Sequence, residues 1–301
     1  MRWFLKGLIL VGIFSISRFA LANMASTNYQ INWDSLNYGG SDTRTSDNYI
    51  LRDTLGNPGA GESQSASYLL RAGYRAGIFD QVISFEIFAQ NNSSKKSVNS
   101  LVDKTIGVET DGLSVGDYIV LVQDEGGSQI SAIGQISGVG AETITVDSLK
   151  NGGVAPLIDD NNDCLYKLGG YSTSLGTLNT SEIKTATIGF EINTDFDSGY
   201  SVQIYENHGL QDGTDEIAPV ADGAVTAGSE EYGGRSSDVA IADSTFDTED
   251  TAFTADFQKI ADDTGVQFAS RNFLTLKASI NGSTNEGDYS QNLVLIASGN
   301  F

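Results

Sequence analysis

The chain has 301 residues and a mass of 31.9 kDa, with 39 acidic residues against 17 basic ones, a single histidine and a single cysteine. A formal charge of −22 repels nucleic acid and anionic lipid headgroups, so neither is expected as a partner. One cysteine excludes an internal disulfide framework and any zinc cluster built on several thiolates, and one histidine excludes a His-based metal cluster.

Residues 1–22 read as a secretory signal peptide. Arg2 and Lys6 give a positive start, residues 7–16 are apolar, and Ala20-Leu21-Ala22 offers small residues where a signal peptidase cuts. The apolar run is too short for a membrane span, so no integral span is expected after its removal. The remaining chain then carries 14 basic residues against 39 acids, a balance of −25, and is expected outside the cell, secreted or on the cell surface.

Residues 23–80 hold an internal echo. TNYQINWDSLNYGG, SDNYILRDTLGNPGAG and SASYLLRAGYRAG place Tyr29, Tyr49 and Tyr68 at corresponding points, and glycines close each copy. Short alternating stretches between glycines predict a small β repeat segment. The tyrosines suit packing within it, with an aromatic ligand platform or an assembly arm as the functional alternative.

These copies resemble the N-terminal segment of secreted β-sandwich surface proteins of small-genome candidate-phylum bacteria. The likeness extends to residues 175–210 and to EGDYSQNLVLIASGNF at 286–301. It implies an extracellular or envelope β protein and carries over no catalytic residue. The closing hairpin is also distantly similar to WxL cell-surface domains, although the two Trp-x-Leu motifs that define them are missing from residues 23–301.

Residues 95–168 predict a separate small module. DYIVLVQ (117–123), ISAIGQISGV (130–139), ETITVDSL (142–149) and CLYKLG (164–169) are β-prone segments parted by glycine turns. Val115-Gly116-Asp117-Tyr118 resembles the turn that leads into SH3-like barrels, and a small closed barrel is expected. Upstream, residues 82–88 alternate as a strand, and the polar stretch 91–97 reads as a hinge. The pattern resumes at Leu175 with TATIGFEINT (185–194), GYSVQIYE (199–206), NFLTLKASING (272–282) and DYSQNLVLIAS (288–298). The last contains an unbroken apolar run, Leu293 to Ile296, as in a strand covered on both faces. A short helix is expected near 253–262. The whole predicts an all-β protein: an antiparallel sandwich of residues 81–94 plus 169–301, with 95–168 inserted as an SH3-like barrel.

Catalytic motifs are missing from the sequence: it has no HExxH, GxSxG, P-loop or dinucleotide fingerprint. His208 falls in a turn with no nucleophile indicated beside it, and Cys164 heads an apolar strand as a buried small hydrophobe. Asp159, Asn161 and Asp163 place oxygen ligands at alternate positions, a pattern that suits calcium. Cys164 and Gly170 stand where an EF-hand needs glycine and glutamate, so only a simpler calcium loop fits, against a solvated acidic turn as the alternative. The sequence therefore favours a non-enzymatic surface protein, such as an adhesin, surface-layer part or filament subunit. Its partners would be other surface proteins, glycans or copies of itself. A carbohydrate-binding module is the alternative, and a secreted hydrolase comes third.

Overall fold

The computed structural model describes residues 82–159 and 162–300, together with the backbone of six short strands between residues 24 and 72. The chain divides into two units, residues 1–80 and 81–301. The first holds three antiparallel pairs. β1 (Met24–Ala25) pairs with β2 (Gln30–Ile31), β3 (Gly39–Ser46) with β4 (Tyr49–Leu55), and β5 (Gly61–Gln64) with β6 (Leu69–Ala72). The expected signal peptide (residues 1–22), Trp33, Tyr29 and Tyr68 lie outside the described residues, as do the side chains of the expected repeat.

The second unit begins with β7 (Ile83–Ala89), whose chain then leaves for a separate set of strands. These are β8 (Lys96–Val102), β9 (Thr105–Val108), β10 (Tyr118–Gln123), β11 (Ile130–Val139), β12 (Thr143–Val146), β13 (Lys150–Asn151) and β14 (Cys164–Leu168). Their antiparallel pairings run β10-β14-β8-β9-β12-β11 and return from β11 to β10, so six strands close a ring, with β13 appended to β11. Closure removes the free edges that an open sheet of this size would show. Inside the ring, Ile106, Ile119, Leu121, Ile136, Ile144 and Leu165 are fully buried.

The chain then returns as β15 (Lys184–Thr194), whose residues Ile188 to Thr194 pair with the whole of β7. β16 (Tyr200–Glu206), the small hairpin β17 (Gln211–Asp212) and β18 (Asp215–Glu216), β19 (Glu231–Ser236), β20 (Gln258–Asp263), β21 (Gln267–Ser279) and β22 (Leu293–Gly299) complete the unit. Two sheets result, one ordered β19-β21-β15-β7 and one ordered β20-β16-β22. Phe190, Ile192, Tyr200, Val202, Ile204, Phe246, Ile260 and Leu274 fill the space between them. Complete burial of one such side chain contributes about 1.5–3 kcal/mol. The protein is all-β, a set of antiparallel sheets in the manner of a sandwich.

A third layer follows from the period of two. On β15 and β21 the side chains that alternate with the core residues point to the other face, and there the ring of strands covers them. Phe88 of β7 and Phe273 of β21 join Val120, Val122, Ile133, Cys164, Tyr166 and Leu168 in one apolar cluster. Gly189 is required beneath it, because a Cβ there would lie 2.4 Å from the Phe88 ring, which itself stacks on Tyr118 at 4.1 Å. The two chain crossings are tied together: Ala89 N–H bonds Gly170 O, Gly169 N–H bonds Ala89 O, and Asn91 N–H bonds Lys167 O.

At the other end of β7, the turn after β15 anchors both ends of the unit. Val82 N–H donates to Asp195 Oδ1 and Asp195 N–H to Val82 O, while Asn300 N–H donates to Gly199 O.

Three expectations are corrected. The segment near 253–262 forms no helix: residues 258–263 are β20, because pairing with β16 outweighs local preference. Residues 91–97 are not merely a hinge, since a single 3-10 turn at Asn92–Ser94, capped by the Asn91 side chain, gives way to β8 at Lys96. In the sandwich the strands buried on both faces are β15 and β21, whereas β22 is the terminal strand of its sheet, and Ile296 on it is 39% exposed.

Candidate functional site

Two polar clusters lie where separate segments of the second unit meet. The first lies beside the 159–163 loop, which leads into β14. Asp163 is buried, and its carboxylate accepts the backbone N–H of Asp124 at 3.2 Å and of Asp159 at 2.8 Å. Asn162 takes up the left-handed conformation, at φ 57°, and its side-chain amide donates to the Glu125 carbonyl at 2.8 Å. The loop is thereby strapped to the turn after β10. Of the three oxygen donors that the sequence singled out, Asn161 lies outside the described residues, and Asp159 and Asp163 are joined through backbone and carboxylate. Among the described residues, no group of three or more His, Cys, Asp or Glu side chains is placed to hold a metal ion.

Next to this loop are two shallow polar hollows of about 330 and 240 Å³, both lined by Lys95 and Asn162. Lys95 Nζ pairs with Glu125 Oε2 at 2.5 Å and lies 5.9 Å from the centre of the Tyr166 ring. The Tyr166 hydroxyl donates to the other oxygen of Glu125. Burial is the largest influence and works against the charge on Lys95, but the bond to Glu125 and the charges of Glu125 and Glu182 together hold the ammonium above its ordinary range. Cys164 borders the first hollow, and burial pushes its thiol up to about 11, so it stays protonated and weakly nucleophilic at neutral pH. Burial and the bond to Glu125 likewise keep the Tyr166 phenol protonated. The cluster can hold a turn in place and presents a paired charge at its rim.

The second cluster joins the ring of strands to the four-stranded sheet. Arg271 of β21 is 6% exposed. Its Nε donates to Glu191 Oε2 at 2.6 Å, and its Nη1 donates to Asp147 Oδ1 at 2.7 Å and to Ser148 Oγ at 3.3 Å. The guanidinium also lies 5.3 Å from the centre of the Tyr118 ring, and the Tyr118 hydroxyl donates to the same Glu191 oxygen at 3.1 Å. Burial opposes the charge on Arg271, yet the two carboxylates raise its basicity further. Burial, and then the charge of Glu191, push the Tyr118 phenol up to about 12. Asp147 loses some hydration to burial, but the bonds from Arg271 and from the backbone of Gln135 and Ser148 hold its carboxyl below the ordinary 3.8.

His208, the only histidine, bonds the neighbouring Gly209 carbonyl through Nδ1 at 2.8 Å. Sequence reasoning passed over Arg271, Glu191, Lys95 and Glu125. One signal was present: Glu191 and Arg271 are charges on strands whose other face is strongly apolar, and both strands are long. No protein-family model, curated protein or solved structure matches the chain.

Truncating one partner of a buried ion pair leaves the other charge uncompensated, so Arg271→Gln should cost about 3–5 kcal/mol in a denaturant titration. The Asp147 contribution has its own pH window. A depressed carboxyl pKa stabilises the fold above the unfolded value, and that part is lost as pH falls through the folded value. The stability gap between the parent and Asp147→Asn should therefore be constant above pH 5, by about one unit of margin over the ordinary pKa, and close on further acidification. A gap that widens in acid would refute this assignment.

Proposed function

We propose that the chain is a non-enzymatic structural or interaction protein of the cell surface or extracellular space, of the adhesin, surface-layer or filament kind. The observation that carries this reading is where the chain spends its buried charge. Arg271 with Glu191 and Asp147 fastens the ring of strands to the sheet beneath it. Lys277 of β21 pairs with buried Asp250 at 2.7 Å, fastening the loop after β19 to the same sheet. A buried pair is weak evidence for net stability, and here these pairs fix which segments meet. The signal-like N-terminus and the net charge of −22 support an exported protein that keeps clear of nucleic acid. Immunogold labelling of intact cells should place it on the surface or in the medium; a wholly cytosolic protein would refute the proposal.

One observation favours the carbohydrate-binding alternative. Phe257 is 60% exposed and meets Tyr205 edge to face, with ring centres 5.0 Å apart, on the outer side of the three-stranded sheet. Exposed rings of this kind stack on sugar faces. Retention of the chain on a glycan array, lost in Phe257→Ala, would select that reading.

Calcium is proposed as a stabilising ligand of the 159–163 loop, held by Asp159, Asn161 and Asp163. Extracellular calcium sites commonly bind in the range of about 0.1–1 mM. At 100-fold excess over the dissociation constant the ion would contribute about 2.7 kcal/mol. The thermal midpoint of the parent should rise between chelator and excess calcium, and the rise should vanish in Asp159→Ala, Asp163→Ala. That variant also loses the loop's backbone bonds, so the measured quantity is the calcium-dependent rise and not the midpoint itself. A parent midpoint indifferent to calcium would remove the site.

A further inference from the structure

β22 is built for a buried position and stands at an open one. Its core-facing residues Leu293, Leu295 and Ala297 pack against the sandwich interior, while Val294 and Ile296 alternate to the outer face. It pairs with β16 on one side, without a bulge, and among the described residues ends its sheet on the other. Edge strands of monomeric proteins are ordinarily guarded by charges, proline or bulges, which block pairing with another chain. β22 has none of these, and residues 289–301 carry no charged side chain at all. The opposite edge of the same sheet is guarded. There the Ser236 hydroxyl bonds Ile260 O, the Ser244 hydroxyl bonds Lys259 O, and Asp238 accepts the Asp262 N–H.

We propose that two copies of the chain pair edge to edge through β22, antiparallel about a two-fold axis, merging two three-stranded sheets into one of six strands. The occupant follows from charge. Two copies of a chain at −22 repel each other almost everywhere, and an uncharged strand is where they can meet at least cost. An antiparallel edge is also self-complementary, as a closed two-fold interface demands. Val294 and Ile296 of each copy then gain apolar cross-strand neighbours on the outer face. The pairing rests on the structural reading above, with a test of its own: a monomer found on the cell surface would refute the pairing and leave that reading standing.

Sedimentation of residues 23–301 should show a species of twice the monomer mass at raised concentration. Added salt, by screening the repulsion, should strengthen it. Val294→Lys with Ile296→Lys should abolish the dimer, while Phe257→Ser, on the same face but beside the guarded edge, should leave it intact. Because the lysines could unfold the strand, amide exchange of the parent gives a second readout. The amides of 293–299 must gain protection on dimer formation, and those of 258–263 must not. A parent that stays monomeric, a dimer that survives the folded lysine variant, loss of the dimer in Phe257→Ser, or open-ended growth beyond two copies would each overturn the proposal.

Discussion

A guanidinium held away from water on a sheet surface has to be met by carboxylates, and Arg271 draws them from opposite sides of a layer boundary. Glu191 comes from the neighbouring strand of its own sheet, at 2.6 Å, and Asp147 from the ring of strands stacked above, at 2.7 Å. Glu191 also takes the Tyr118 hydroxyl, so one carboxylate organises a cation and a phenol together. The geometry holds only if the ring sits at one height and one rotation over the sheet. Apolar contact between Phe88, Phe273 and the β10 and β14 side chains drives the layers together. It is non-directional, and the ionic cluster supplies the direction.

This division of labour accounts for the burial pattern along β15 and β21. A sheet with one wet face needs alternation of apolar and polar residues, and one covered twice needs a use for every side chain. In β21 the core takes Leu274, Leu276 and Ala278, and the ring of strands takes Arg271 and Phe273. Gly189 on β15 is the steric counterpart, because only a missing side chain lets Phe88 lie flat enough to stack on Tyr118.

The parts of the fold legible in the sequence are those where apolar alternation is strong. β10, β11, β15 and β16 stand out by their Ile and Val residues and β14 by its apolar Cys-Leu-Tyr start, and the all-β class follows from them. β8 and β19 escape notice, and β20 falls in the segment expected as a helix, each for a separate reason. β8 is the polar run KSVNSLV, with Val98 as its one fully buried residue. β19 contains Gly233 and Gly234, which read as a turn, yet both are there because Val220, the Thr251 backbone and the Phe253 ring press within 2.8 Å of where a Cβ would stand. In β20, Gln258 and Lys259 begin the strand and Asp262 and Asp263 end it, polar residues that suit its place at the end of a sheet. The ionic clusters were less accessible still. Arg271 finds its partners 80 and 124 residues back in the chain, and no local pattern joins positions so far apart. The 159–163 loop was legible as an acidic turn, whereas the bonds from Asp163 to the backbone of Asp124 and Asp159 come only from the fold.

The turn at 195–199 has a mechanical consequence. Val82 is bonded to Asp195 and Asn300 to Gly199, so the two ends of the unit leave from one place. A pull between them enters β7 at Ile83, opposite Thr194, and β22 at Gly299, opposite Tyr200. Each strand is then peeled from its partner one hydrogen bond at a time, not sheared along its length with all bonds loaded together. Under tension between residues 82 and 300 the unit would open progressively from that turn. The ring of strands, inserted at the far end of β7, would feel no load until β7 had peeled away from β15.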